Sequence, residues 1–427
     1  MEKINNINTI IVGGGQSGLS VSYFLKKEGI DHIILEKADK PAFAWREQRW
    51  DSFTFVTPNS MINLPGGNYK LFNFHPDEFL PKEDIIKYFE DYIEINKSPI
   101  QFNIEVNKIS KFDSKWVVKT SNGDHIAQNV IVATGFFQTP KKLDIMDSIN
   151  PAILQLHSSE YKNPESVREG NVLVVGSGQS GMQIAEELYK SGKKVFLSIG
   201  STKRIPRSYR GKDLTYWGIE LKLYDKTVDE LDDLSERLVS NAHVSGVNGG
   251  HTVNLHKYAK DGVILLAKIV RSNDFKLYFD KNLHQLLTKA DSLEKEICPA
   301  IDKIIEKNNL DAPEEEIEVL NDGFNQEIIE ELDLKESNIN TIIWATGYTH
   351  DYSFIKTDKK IIDEMGFPIQ KRGVSEEDGL FFIGTVWLYK IGSSLLYGVG
   401  EDAEYIVKQI CSSNYSTSNN KEILISN

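Results

Sequence analysis

Thr9-Ile10-Ile11-Val12-Gly13-Gly14-Gly15-Gln16-Ser17-Gly18 decides the fold of this 427-residue chain. Four apolar or β-branched residues form a buried-strand run, and the glycines after it fit Gly-x-Gly-x-x-Gly at Gly13, Gly15 and Gly18. In that spacing the first glycine allows a tight turn and the second lets the backbone approach a pyrophosphate. The third lets helix and strand pack closely. Leu19, Tyr23, Phe24 and Leu25 then recur near helical spacing up to Gly29, and a second apolar run, His32 to Leu35, ends on Glu36. The stretch predicts a βαβ unit whose helix N-terminus offers amide donors to phosphates.

The unit recurs about 160 residues later: Val172-Leu173-Val174-Val175, then Gly176-Ser177-Gly178-Gln179-Ser180-Gly181, then a helix carrying Met182, Ile184, Ala185 and Leu188, then Val195 to Ser198. Two copies predict an α/β chain of two Rossmann-like dinucleotide-binding domains, each a three-layer sandwich. A second echo supports this. Val130 to Val132 runs into Ala133-Thr134-Gly135, and Ile342 to Trp344 runs into Ala345-Thr346-Gly347. Each precedes a segment that would cross between domains. The reading is a discontinuous first domain, 1–163 plus 337–427, with a second domain containing a helical stretch inserted at 164–336.

The two second strands end differently. Glu36 lies 18 residues after Gly18, where a carboxylate accepts hydrogen bonds from both hydroxyls of an adenosine ribose and repels a 2′-phosphate. That suits FAD or NAD. The matching stretch of the second unit is Ser198-Ile199-Gly200-Ser201, followed by Lys203, Arg204, Arg207 and Arg210. Hydroxyls and cations suit a 2′-phosphate, hence NADPH. The alternative is that these arginines form ion pairs on an acidic protein. Expected FAD contacts are Gly13, Gly15, Gln16, Ser17, Gly18, Glu36, Lys37, Val106, Ala133, Thr134 and Gly135. Expected NADPH contacts are Gly176, Gly178, Gln179, Ser180, Gly181, Ser198, Ser201, Lys203, Arg204 and Arg207, with Ala345, Thr346 and Gly347. An FAD fold joined to an NADPH fold is a redox flavoenzyme.

Composition narrows the classes further. Forty-nine basic against 62 acidic side chains leave a formal charge of −13, which argues against a nucleic-acid partner or an anionic membrane surface. Cys298 and Cys411 are the only cysteines, so no disulfide framework, CxxC redox pair or zinc cluster can be written. The apolar runs, such as Gly262 to Leu266, are too short to span a bilayer, and the N-terminus lacks a signal-peptide pattern. A soluble, cytoplasmic protein without a bound metal is expected.

The sequence also resembles the flavin-containing monooxygenases, single-component class B flavoprotein monooxygenases, and within them the bacterial branch associated by name with cation efflux or potassium transport. Beyond the glycine turns and Glu36, the resemblance rests on Trp45-Arg46, Arg49-Trp50-Asp51, Thr57-Pro58-Asn59, Leu64-Pro65-Gly66, Leu156 to Tyr161, Arg204 to Gly211, Gly249-Gly250-His251, Ala345 to Tyr348, and Gly398-Val399-Gly400-Glu401-Asp402-Ala403. It implies that Trp45, with Arg46, lines the FAD, and that Asn59 lies beside the isoalloxazine as the candidate catalytic residue. On the residues alone Asn59 also reads as a turn residue after Pro58. The resemblance further implies that the helix opened near Gly400 faces the flavin pyrimidine, with Thr385 and Ser394 nearby and Trp217, Trp387, Tyr389 and Tyr397 as candidate walls.

The family signature FxGxxxHxxx(F/Y) survives only in part. Pro151 and Ile153 replace its phenylalanine and glycine, leaving His157 and Tyr161, and Tyr161-Lys162 disfavours Baeyer–Villiger chemistry. His251 and His256 read as structural. The implied activity is an NADPH- and FAD-dependent monooxygenase that forms a C4a-hydroperoxyflavin and inserts one atom of O2 into an N-, S- or activated C-centre of a small molecule. A homodimer is a family-level expectation. The rival readings are an NADPH dehydrogenase or oxidase passing electrons to a quinone, a protein or O2, and a transport-associated flavin-binding regulatory protein.

Overall fold

Strand β1 (Asn5–Val12) runs into helix α1 (Gln16–Lys27), and the chain returns as β2 (His32–Leu35). These and all later elements come from a computed structural model that describes residues 5–238 and 243–423. After helix α2 (Lys82–Asn96) comes an antiparallel meander of β3 (Val106–Phe112), β4 (Lys115–Thr120) and β5 (Gly123–Val132). A short strand, β6 (Thr139–Pro140), leads into the second sheet, built from β7 (Leu154–His157), β8 (Asn171–Val175), helix α3 (Gln179–Lys190), β9 (Val195–Ser198) and β10 (Ile264–Leu266). The long helix α4 (Leu283–Asn308) follows, and β11 (Ile339–Trp344) completes that sheet. The chain then returns through β12 (Tyr348–Thr349) to β13 (Leu380–Phe382) and helix α5 (Val399–Ile423).

β5 organises the first sheet. It pairs parallel with β1 along most of its length, antiparallel with β4 through its first residues, and parallel with β13 through its last. The far end of the chain is thereby stitched beside the strand of the first glycine turn, and α5 packs on α1. The second sheet is wholly parallel, in the order β7-β11-β8-β9-β10. Because a strand alternates faces, Val172, Val174, Leu197, Leu265 and Ile343 bury into one apolar cluster. Leu173, Val175, Phe196, Leu266, Ile342 and Trp344 bury into another. Both faces are covered, which is why these strands read as unbroken apolar runs.

The sheets do not divide where the sequence suggests. β7 and β11 belong to the second sheet, so expected boundaries at 163/164 and 336/337 cut through it. Ile149 and Ile153, just before β7, bury in the cluster beneath that sheet. The chain crosses instead at β6 and β12, which pair antiparallel with each other through Pro140–Tyr348 and Thr139–Thr349. Lys141 N donates to Gly347 O at 3.0 Å and Thr346 Oγ1 to Lys141 O at 2.9 Å, closing the crossing. Among the described residues no helix is long and apolar enough to cross a membrane.

Candidate functional site: two dinucleotide cradles

The two glycine turns are built alike. Gly13 has φ 108°, and a Cβ there would lie 2.6 Å from Ala133 O; Gly176 has φ 110°, and a Cβ would lie 2.4 Å from Ala345 O. A Cβ on Gly18 would meet Gly13 O at 2.0 Å, and one on Gly181 would meet Gly176 O at 1.9 Å. The middle glycines differ in kind, since a Cβ on Gly15 or Gly178 would meet nothing within 4 Å. The outer glycines therefore hold each turn against its Ala-Thr-Gly strand end. The middle one keeps open the approach to the first amides of α1 and α3, and such an opening fits a diphosphate.

In the first cradle Glu36 is held in place. Its Oε2 accepts from Gly14 N at 2.6 Å and its Oε1 from Ala38 N at 2.9 Å, which fixes the carboxylate at the end of β2. Gln16 Nε2 donates to Ser394 O at 2.6 Å, tying the start of α1 to the segment before α5. Ser17 and Thr385 are buried, and a Cβ on Gly384 would strike Ser17 Oγ at 2.3 Å. Gly400, in the first turn of α5, lies where a Cβ would be 3.0 Å from Pro65 Cγ. Trp45 packs on Phe53 and Phe55 at 5.8 and 5.5 Å, with the Arg49 guanidinium 5.3 Å from its ring. Thr134 Oγ1, beside Gly135, accepts from Gln138 Nε2. Arg46 turns away to pair with Glu90 on α2, Lys37 is exposed, and Val106 opens β3 opposite Thr120.

In the second cradle the hydroxyls face inward. Ser198 Oγ donates to Ala267 O at 2.9 Å. Ser177 Oγ accepts from Gly200 N at 3.0 Å and bonds Thr202 Oγ1 at 2.7 Å, stapling the end of β9 to the glycine turn. Gln179 Nε2 donates to Val244 O, Ser180 opens α3 beside it, and Ser201 is exposed.

The arginines do not stand as free cations there. Arg204 is 7% exposed, with Nε 3.0 Å from Asp291 Oδ1 and Nη2 2.9 Å from Glu294 Oε1. Arg207 pairs with Asp213 at 2.7 Å and Arg210 with Asp302 at 2.7 Å. A buried guanidinium needs a carboxylate, and α4 presents Asp291 and Glu294 one turn apart. Their assignment as 2′-phosphate ligands gives way to ion pairing. Lys203 alone of the expected cations has no carboxylate partner among the described residues. Burial pushes Glu294 up; Asp291 is also desolvated, yet the His256 hydrogen bond and the Arg204 charge hold it below its ordinary value.

The histidines have structural partners. His256 Nδ1 accepts from Gly323 N at 3.1 Å, which leaves Nε2–H facing Asp291 Oδ2. His251 Nε2 lies 2.7 Å from Glu186. His157, at the end of β7, places Nε2 3.1 Å from Gly347 O while Nδ1 accepts from Ser159 N, and burial lowers its pKa. Tyr161 OH donates to Glu187 at 2.7 Å. The surviving half-motif thus pins β7 to the second Ala-Thr-Gly turn and to α3.

Asn59 is 2% exposed. Its Nδ2 donates to His75 O at 2.9 Å and its backbone N to Glu78 O at 2.8 Å, whereas Oδ1 is buried without a partner among the described residues. The segment it opens reaches Pro65, which packs against Gly400 in the first turn of α5. Sequence reasoning assigned no role to Asp402, in the first turn of α5. Burial pushes its carboxyl up to about 6, opposed by the Ser393 hydrogen bond and by Arg372 at 3.6 Å. Arg372 lies 4.4 Å from the rings of both Tyr389 and Tyr405. Of the candidate walls, Trp217 is buried in a separate core and donates to Tyr209 O; Trp387 holds φ 54°, and Tyr397 lies 6.0 Å from Tyr224.

Comparison with known proteins agrees with the fold. Residues 10–255 match the family model described as pyridine nucleotide-disulphide oxidoreductase. The chain is 32% identical over 405 residues to an uncharacterized CzcO-like oxidoreductase of Geobacillus kaustophilus, covering 95% of this chain and 98% of the relative. It is 27% identical to a probable indole-3-pyruvate monooxygenase, YUCCA3, of Arabidopsis thaliana, over 90% of this chain and 84% of that one. Its fold matches a flavin-containing monooxygenase from Stenotrophomonas maltophilia at a TM-score of 0.66 with 18% identity, over 96% of this chain and 99% of that chain.

Proposed function

Because this chain belongs to the pyridine nucleotide-disulphide oxidoreductase family, in its flavin-monooxygenase, CzcO-like branch, we propose that it is an NADPH-dependent monooxygenase acting on an N-, S- or activated C-centre of a small molecule. The observation that carries the proposal is Asn59: a buried amide oxygen without a partner among the described residues, on the segment that runs to Pro65 and the start of α5, which suits the oriented polar group a redox centre needs.

In this reading the first cradle holds FAD. The amides at the start of α1 would hold its diphosphate, Glu36 its adenosine ribose, and the first turn of α5 its flavin end. The second cradle would hold NADPH at the start of α3, with Lys203 as the cation left to take a 2′-phosphate. A bound FAD supplies the redox chemistry, taking two electrons from NADPH and activating O2 so that one atom passes to substrate and the other leaves as water.

The chain's own residues orient the reacting groups and keep water out. Donation to His75 O fixes the amide of Asn59, so that its Oδ1 can only accept, from an N–H of flavin or nicotinamide. Met61, Ile62 and Leu64 are buried immediately after it and exclude water. Glu36 is fixed by two backbone amides and serves to hold and orient the ribose.

The test is to reduce the purified holoprotein with NADPH, mix it with O2 and follow near-UV absorbance and peroxide release. A lag between O2 uptake and peroxide release, abolished in Asn59→Ala, is the expected result. Immediate stoichiometric peroxide would overturn the proposal in favour of an oxidase, and the absence of NADPH oxidation would overturn both.

A further inference from the structure

Arg207 touches both halves of the molecule. It leaves the loop after β9, yet its Nη1 donates to Val56 O at 2.6 Å and its guanidinium lies 4.3 Å from the ring of Phe79. Val56 and Phe79 sit on two neighbouring runs of the first domain, bonded through Phe55 N to Leu80 O at 2.7 Å and Asn59 N to Glu78 O at 2.8 Å. Arg207 therefore grips both runs of the ribbon that carries Asn59, three residues from it on one run and one residue from its Glu78 partner on the other.

The inserted domain is shaped around this grip. A Cβ on Gly246 would fall 1.9 Å from Phe55 O, and one on Gly250 would fall 3.0 Å from the Phe79 ring and 3.2 Å from Arg207 Nε. Arg207 is itself fixed from behind. Nε donates to Asp213 Oδ2 at 2.8 Å, its backbone N to Thr252 Oγ1 at 2.8 Å, and Leu214 N donates to its carbonyl at 2.9 Å. Asp213 is in turn held by Thr215 N and Oγ1. A planar fork that satisfies a carboxylate and a carbonyl at once while covering a ring is what arginine supplies and lysine cannot.

We propose that Arg207 is a positioning residue, not a coenzyme ligand: it bolts the Phe55–Asn59 run to the inserted domain and so sets where the Asn59 amide oxygen points. This rests on the reading of Asn59 as the oriented polar group of the flavin site. It also makes the placement of Asn59 depend on the docking of the second domain.

The experiment is a double-mutant cycle of Arg207→Ala, Asn59→Ala and the pair in the FAD-loaded protein, read by product formed per NADPH oxidised. Calorimetric titrations with NADP+ and NAD+ accompany it. Arg207→Ala should cut coupling about tenfold, the scale of one charge-assisted hydrogen bond. It should leave the NADP+/NAD+ affinity ratio within twofold and have almost no further effect in the Asn59→Ala background. Arg207→Lys should recover part of the loss. Phe79→Leu, which removes only the ring face, should show a smaller loss and serves as the probe if Arg207→Ala does not fold.

A selective loss of NADP+ affinity would overturn the proposal by making Arg207 a 2′-phosphate ligand, and additive effects in the cycle would overturn it by uncoupling Arg207 from Asn59. If Asn59→Ala alone leaves coupling unchanged, the fault lies in the reading of Asn59. Amide exchange of residues 54–61, slow in the parent and fast in Arg207→Ala, still tests the bolt in that case, and unchanged exchange there would overturn it.

Discussion

The two glycine turns share a geometry to within a few tenths of an ångström, but the strand ends beside them do opposite things. In the first unit Glu36 turns its carboxylate onto the backbone of its own turn and stays available at the rim. In the second, the polar groups near β9 other than Ser201 and Lys203 are drawn inward. Ser198, Thr202 and Ser177 bond one another or the backbone, and Arg204 is buried between two carboxylates of α4. A conserved turn geometry therefore does not carry a conserved ligand shell. The turn is dictated by contacts within a few residues, whereas the shell depends on whatever distant chain happens to pack beside it.

The largest expected effect separates the glycines. Gly18→Ala and Gly181→Ala should each cost more than about 4 kcal/mol, because the new Cβ overlaps a backbone oxygen that cannot move. Gly15→Ala and Gly178→Ala, whose Cβ enters open space, should keep the parent's melting temperature as apoprotein while weakening FAD and NADP+ respectively. Thermal melts with and without ligand check both pairs, and equal destabilisation by all four would break the parallel between the turns.

Next comes Arg204. Arg204→Ala strands Asp291 and Glu294 without their cation and should cost about 3–5 kcal/mol in urea unfolding. The relative affinity for NADP+ over NAD+ should change little. A coenzyme effect without a stability effect would restore Arg204 to the ligand shell.

The third sharpening is by pH. His243, paired through its backbone to Lys203, is 3% exposed with neither ring nitrogen bonded to any described residue, and burial lowers its pKa to about 4. The folded state binds its proton less tightly than the unfolded state does. Its contribution is therefore present above pH 6.5 and is lost as pH falls from there through about 4, amounting to about 3 kcal/mol. His243→Leu should flatten the pH dependence of the urea midpoint across that window. His32, in the first unit, is also lowered by burial but keeps bonds to Ser22 and Ile30 O, so its replacement lacks this clean signature.

The smallest effects belong to the rims. Glu36→Gln should weaken FAD about thirtyfold in titrations of the apoprotein, through loss of the charged acceptor. Lys203→Ala should weaken NADP+ relative to NAD+ about tenfold, the worth of one solvent-facing charge contact to a phosphate. A larger effect for Lys203 than for Glu36 would reverse the ranking of the two shells.

What could be read from the sequence follows the same division. Both βαβ units, Glu36 and the repeated Ala-Thr-Gly ends were legible because strand, turn and helix signals lie within 30 residues of one another. The fates of Arg204 and Arg207 were not, since Asp291 lies 87 residues after the first and Val56 lies 151 residues before the second. The domain boundary was missed for a related reason. Leu154-Gln155-Leu156-His157 is too short and too mixed to announce a strand, and only its parallel register with Thr341 to Trp344 makes it one. Asn59 was visible as a motif residue, but its buried, unpaired oxygen depends on the carbonyl of His75.

The paired crossing strands have an evolutionary consequence. Because β6 and β12 lie side by side, the chain leaves the first sheet and re-enters it through neighbouring points. Everything from Lys141 to Gly347 forms one pendant that is entered and left at this crossing and is docked besides through side chains such as Arg207. Removing that pendant would leave two ends close enough for a tight turn to join, without disturbing the pairing of β5 with β1 or β13. A lineage could thus gain, lose or exchange its second nucleotide cradle as a single cassette, provided the apolar residues the two sheets share were covered again.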